Sequence, residues 1–322
     1  MSEKALWLRE ENRGLSRAEF KAIGALPPEL EWFANFSNLN TRRAYQRDIR
    51  DFTLFVGLKS ASEFRQVNRS HVIAWRKLLE SKHLSAASIR RKLSALGSLM
   101  DHLCESNVID ANPVDGVSRP REGNNEGKTP AMSSEQARLL LDAPCSESLK
   151  GKRDRAILAC LLFHALRRSE LCDLRVKDLA PRMGIQQFSI RGKGGRIRYV
   201  SVNPEALVRI EAYLDAAGHR EDLKGPLFRP VRNNVSGDLR KHLDPSAIRK
   251  SVLIPHARAA GVYFHGLRPH SLRATAITNA LENGVDLSRA QDWAGHADPS
   301  TTRLYDKRQS LPQESPSFKV EY

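Results

Sequence analysis

Apolar residues recur at helical spacing through most of the chain, and the first clear stripe begins near Asn40. Tyr45, Ile49, Phe52 and Val56 share one face, with Asn40 placed to cap that helix and Gly57 to stop it. Ser70 is the expected cap of a second helix carrying Val72, Trp75 and Leu79. Ser85 is the expected cap of a third, whose stripe runs through Ile89, Leu93, Leu96, Met100 and Leu103. Arg90, Arg91 and Lys92 add positive charge beside that stripe.

Two segments lack any period. Residues 1–28 are charged, end in Pro27-Pro28 and are set apart as an N-terminal extension. Pro113, Pro120 and Pro130, with Gly116, Gly123 and Gly127, break every pattern again and predict a linker over 114–130. A helical domain over 29–113 and a second domain over 131–322 follow from these breaks.

In the second domain, Ser133 or Ser134 starts a helix through Leu139, Leu140 and Leu141. The run from Ala156 to Phe163 is apolar on every face, which predicts a helix through the middle of the domain. FSIRGKGGRIRYVSV reads as two short strands around Gly192-Lys193-Gly194-Gly195, with the lysine at the hairpin tip. From Pro204 the pattern is mostly helical. The expected fold is therefore mainly α, with a small antiparallel sheet in the second domain.

Charge narrows the choice of partner. The 322 residues hold 52 Lys plus Arg against 37 Asp plus Glu, a net charge of +15, which points to a polyanion. Nucleic acid is the commonest such partner, with an anionic membrane surface or a merely basic surface as the blander readings. Cys104, Cys145, Cys160 and Cys172 form no CxxC pair and have no histidine at zinc-finger spacing, so no metal is expected. The N-terminal residues lack the apolar core of a signal peptide, and no run is long enough to span a bilayer. A cytoplasmic, nucleoid-associated protein is the corresponding expectation.

Four polar clusters fall at the ends of the predicted elements: Arg167 with Glu170, Lys193, His270 with Arg273, and His296 with Tyr305 in AGHADPSTTRLY. Residues three apart share a helix face, so His270 and Arg273 can address one object, as can Arg167 and Glu170. In the last run Asp298 suits an N-cap and Pro299 the first helical position. Taken singly, each residue has an ordinary reading: a helix salt bridge, a solvated turn lysine, a satisfied histidine, a packing tyrosine. Together they suit phosphoryl transfer. Arginine forks match the charge that gathers on phosphate oxygens, a lysine can protonate the leaving alkoxide, and a tyrosine can attack when a base takes its proton.

The motifs ALRRSEL, RGKGGRIR, HSLR and GHADPSTTRLY, in that order, resemble the catalytic domain of the tyrosine recombinases, the phage-integrase family that includes the Xer and Cre recombinases. TRRAYQRDIRDF and LSAASIRRKLSAL resemble its helical, SAM-like core-binding domain. The resemblance implies a clamp on double-stranded DNA with inverted half-sites, working as a homotetramer or with a related recombinase on paired sites. It makes Tyr305 the nucleophile of a 3′-phosphotyrosine intermediate. Arg167, Arg273 and His296 would hold the non-bridging oxygens, Lys193 would be the general acid and His270 the proton acceptor. Glu170 would orient its neighbours, and neither metal, cofactor nor ATP would be needed. Arg90 and Arg91, with Lys92 beside them, are the candidate groove-facing group. A type IB topoisomerase and a catalytically silent DNA-binding regulator are the competing readings.

Two departures stand out. Ala165 occupies a position where the family often has glycine, at a cost of about 1 kcal/mol if positive φ is needed. Ala274 stands where a second histidine is common. After Tyr305, Pro312 and Pro316 rule out one long helix, and Phe318, Val320 and Tyr322 are candidates for docking as an extended segment.

Overall fold

The computed structural model describes residues 27–121, 129–192, 195–234 and 236–306, with a few isolated positions before residue 27. The chain divides into two compact units, residues 1–124 and 125–322. The N-terminal extension, much of the expected linker, Lys193 and the tail beyond Asp306 lie outside the described residues.

The first unit contains α1 (Pro28–Ala34), α2 (Leu39–Val56), a 3-10 turn (Ala61–Gln66), α3 (Arg69–Ser81) and α4 (Ala86–Glu105). The stripes expected from the sequence form its core: Phe52, Val72, Trp75, Leu93, Leu96 and Met100 are almost fully buried. Phe52 and Trp75 meet edge to face with centroids 5.1 Å apart.

Two caps differ from expectation. The Asn38 side chain caps α2 by accepting from the main chain of Asn40 and Thr41, and Asn68 caps α3 in the same way. Asn40 and Ser70 therefore lie in the first turns they were expected to precede. Ser85 caps α4, and Gly57 ends α2 in a left-handed conformation (φ 82°).

The basic group on α4 also needs correction. Lys92 is only 7% exposed, and its ammonium bonds Asp48 (3.1 Å) and Asp51. Arg91 pairs with the buried Asp48 as well. A buried ammonium must be paired, so these contacts tie α4 to α2 and remove Lys92 from any groove-facing role. Arg90 stays on the exposed side.

The linker likewise begins later than expected. Val114 and Val117 are buried in the first unit's core. Asn112 makes the turn that places them: its side chain accepts from the Val114 amide (2.8 Å) and donates to Gly97 (3.1 Å) and Asp101 (2.7 Å).

The second unit is built around α6 (Leu149–His164), whose Ala156–Leu162 stretch is buried on all sides. Before it comes α5 (Ser134–Asp142), capped by Ser133, and after it α7 (Arg168–Asp173). The sheet follows as a meander of β1 (Leu179–Arg182), β2 (Ile185–Arg191) and β3 (Ile197–Ser201), all antiparallel. The expected hairpin is β2–β3, and β1 adds a third strand. Next come α8 (Pro204–Ala217) and α9, a continuous helix of Pro245–Ala247, π-helical Ile248–Leu253 and Ile254–Ala259. The chain closes with α10 (Pro269–Glu282), α11 (Leu287–Ala294) and α12 (Pro299–Arg303). Both α8 and α10 pack on α6. No helix among the described residues is long and apolar enough to cross a membrane.

His164 joins the end of α6 to the start of α8. Its Nε2 accepts from the Asn203 amide (2.9 Å), so its hydrogen sits on Nδ1, facing the Cys160 carbonyl at 3.2 Å. That arrangement suits only the neutral ring, and burial pulls its pKa down to about 4. An unfolded histidine binds protons more readily between the two values, so this stability is full above pH 6.5 and is lost as pH falls toward 4. Denaturant titration should show the unfolding free energy declining over that window, by at most about 3 kcal/mol from this residue. His164→Gln should be less stable at pH 7 and decline less steeply; an unchanged slope would count against the assignment.

Candidate active site

The carboxyl end of α6 sets the first arginine. Ala165 follows the helix in a left-handed conformation (φ 48°, ψ 32°), and the chain turns into α7 with Arg167 at its cap. The suspected need for positive φ is real at this position. The strain of roughly 1 kcal/mol is offset in part by the burial of the alanine methyl, since Ala165 is fully buried.

Glu170, on the first turn of α7, accepts from the Arg167 amide (2.8 Å) and from Arg167 Nη1 (2.8 Å). It also receives a two-pronged contact from Arg198 on β3, at 2.9 and 2.8 Å. Burial alone would raise the Glu170 carboxyl, but the bonds from Arg198 and Arg167 prevail and hold it at about 2. It therefore stays ionised.

The other arginine contacts are to main-chain carbonyls where helices end. Arg167 Nη2 donates to Gly295 (2.8 Å), the residue that ends α11 with φ 67°. Arg273, on α10 and 1% exposed, donates to Ala294 (2.7 Å) and to Ala165. Carbonyls at helix ends lack helical partners and carry the negative pole of the helix dipole, so they hold guanidinium groups without cancelling their charge. Burial, then the nearby Arg167, lowers Arg273 to about 10, and it remains a cation at neutral pH.

Tyr305 lies just beyond α12, whose start is fixed as the sequence implied: Asp298 caps it and Pro299 opens it. The tyrosine is 6% exposed and belongs to a buried apolar cluster with Ala165, Ala274 and Ile277. Its hydroxyl is 3.0 Å from His270 Nε2. Burial, then Arg273, Arg268 and Arg167, pull His270 below the usual histidine value, so it is neutral and able to accept the phenol hydrogen. Burial raises the Tyr305 pKa despite the arginines, so the phenol is protonated at rest.

His296 stacks on the Tyr305 ring with centroids 6.1 Å apart. Burial, then Arg273 and Arg167, lower it to about 4. Its Nδ1 is 2.8 Å from the hydroxyl of Thr302, which is fully buried on α12. When Thr302 donates to Nδ1, the imidazole hydrogen sits on Nε2, and neutral His296 can donate it to an oxyanion.

Arg167, Glu170, His270, Arg273, His296 and Tyr305 thus gather at one place, while Lys193 falls outside the described residues between β2 and β3. Sequence reasoning missed Arg198 and Thr302. Arg198 had a faint signal, since alternation along β3 turns it inward with Val200 while Ile197 and Tyr199 are exposed. Thr302 had none.

A tyrosine against a neutral histidine, beside two arginines fixed by carbonyls, is an arrangement chemically suited to phosphoryl transfer. Residues 130–310 match the Phage integrase family, and residues 35–107 match its N-terminal SAM-like domain. A tyrosine recombinase XerC of Pelobacter propionicus is 32% identical over 285 residues, spanning 88% of this chain and 89% of its own length. A tyrosine recombinase XerD of Listeria monocytogenes is 29% identical over 83% of this chain and 87% of its own length. Among solved structures, XerH bound to a palindromic difH substrate aligns with a TM-score of 0.66 at 20% identity, over 84% of this chain and 76% of its own. A lambda integrase dimer bound to a COC′ core site aligns at 0.62 and 18%, over 87% and 94%. The chain belongs to the phage integrase family, whose members break and rejoin DNA strands at specific sites.

Thr302→Val keeps the shape of the threonine and removes its hydrogen bond to His296. The variant should lose about 1 kcal/mol of stability in a denaturant titration. Its DNA cleavage should fall by roughly tenfold or more, the scale of losing a partner that orients a working side chain. Unchanged cleavage would show that Thr302 does not orient the ring.

Proposed function

We propose that this chain is a site-specific DNA recombinase in which Tyr305 is the nucleophile. The observation that carries the reading is the 3.0 Å contact between the Tyr305 hydroxyl and the neutral His270, beside Arg167 and Arg273. The phenol oxygen attacks phosphorus, its proton passes to His270, and the bond to the 5′-oxygen breaks. Lys193 is assigned the proton delivered to that 5′-oxygen. The products are a 3′-phosphotyrosine and a free 5′-hydroxyl, so the phosphodiester bond energy is kept and rejoining needs no ATP.

Arg167, Arg273 and His296 are assigned to the non-bridging oxygens, where negative charge grows in the transition state. Complete exchange between two duplexes requires four strand cuts. With one nucleophile per chain, that requirement favours a tetramer on paired sites with inverted half-sites. The net charge of +15 supports binding to the duplex backbone.

The direct test is a nicked duplex carrying the target site, on which cleavage traps the covalent adduct. The wild-type protein should form it and Tyr305→Phe should not, while still binding DNA; an adduct in the variant would remove Tyr305 from the role. The rate should also have an acid limb. Protonated His270 cannot accept the phenol proton, and its pKa lies below 6.5, so cleavage should be unimpaired at pH 7.5 and decline as pH falls under 6.5. A rate that rises on acidification would contradict the role of His270.

A further inference from the structure

We propose that Arg198 is a positioning residue of this site: by taking both oxygens of Glu170, it leaves the Arg167 charge free for the phosphate and anchors β3 to the turn that holds Arg167. The inference rests on the recombinase reading above and concerns a residue outside the motifs' reacting set.

Two arginines share Glu170 unequally. Arg198 meets the carboxylate with both Nη atoms, at 2.9 and 2.8 Å, and its side chain is 15% exposed. Arg167 gives Glu170 one guanidinium nitrogen, gives another to the Gly295 carbonyl, and its side chain is 41% exposed. The enclosed arginine thus takes the planar, paired geometry and the open one keeps part of its fork unengaged.

Charge makes this division matter. Arg167, Arg198 and Arg273 stand around a single carboxylate, which leaves two positive charges for an incoming phosphodiester. Without Arg198, a buried and ionised Glu170 would keep Arg167 as its guanidinium partner among the described residues, and that pairing would cancel the charge needed by the phosphate.

Gly295 completes the linkage. A Cβ at this residue would come within 2.9 Å of Arg198 Nη1 and 3.0 Å of its Cζ, so the guanidinium rests directly against the turn. The carbonyl of the same glycine accepts from Arg167. Arg198, Glu170, Arg167 and Gly295 therefore form a closed ring of contacts joining β3, α7 and the end of α11. The ring also fixes the first residues of β3, which begins at Ile197.

The test compares adduct formation by wild type, Arg198→Met, Arg198→Lys and the double variant Arg198→Met/Glu170→Gln, each checked for folding by its melting curve. Arg198→Met should be slower by about tenfold to a hundredfold, and Arg198→Lys should recover only part of the loss. The double variant restores two net positive charges and should be faster than Arg198→Met, which a purely structural arginine would not produce. Equal rates for Arg198→Met and wild type, or a double variant slower than the single, would overturn the proposal. Titration of isotope-labelled Glu170 gives a readout independent of cleavage: its pKa should rise from about 2 in Arg198→Met, and an unmoved value would equally overturn it. If wild type forms no adduct, the reading of Tyr305 fails, and this titration still decides the part played by Arg198.

Discussion

Three guanidinium groups around one carboxylate is the constraint on which the site depends. Like charges at close range repel, and burial adds a desolvation cost, as the lowered pKa of Arg273 records. The fold meets this cost with main-chain oxygen. Ala165 follows α6 and Gly295 follows α11, both left-handed, and Ala294 is the last residue of α11. Their carbonyls face the arginines and supply partial negative charge without neutralising it. An added carboxylate would bind the arginines more strongly, and would also occupy the place of the phosphate.

The same positive field governs the other side chains. It adds to burial in keeping His270 and His296 uncharged, and it opposes burial at Tyr305 without overcoming it. The resting site therefore holds a protonated Tyr305, a neutral His270 and a neutral His296. Each suits a reaction in which charge appears only as the phosphate is attacked. Ala165, Ala274 and Ile277 belong with Tyr305 to one buried apolar cluster.

Much of this was legible in the sequence because it was written in local patterns. The stripes on α2, α3 and α4 follow helical spacing, the all-apolar Ala156–Phe163 run marks the central helix, and the capped start at Asp298-Pro299 marks the carrier of Tyr305. The caps at Asn38 and Asn68 were displaced because several polar residues precede each stripe and any of them can serve. Lys92 misled for another reason: its partners, Asp48 and Asp51, lie on a different helix, and no spacing rule connects them. Arg198 and Thr302 were hidden in the same way, since their roles come from contacts with Glu170 and His296 made only after folding. The carbonyl ligands of Arg167 and Arg273 have no side-chain signature at all.

In the proposed reaction, Arg167 and Arg273 offset charge on the non-bridging oxygens of the scissile phosphate. The most direct measurement is the cleavage rate of Arg273→Ala on two substrates, one with the ordinary scissile phosphate and one with an uncharged methylphosphonate in its place. Severe loss is expected on the phosphate and substantial recovery on the methylphosphonate, whose transition state carries one negative charge fewer and so depends less on the missing cation. Equal inactivity on both substrates would contradict it and assign Arg273 to holding the fold of the site instead.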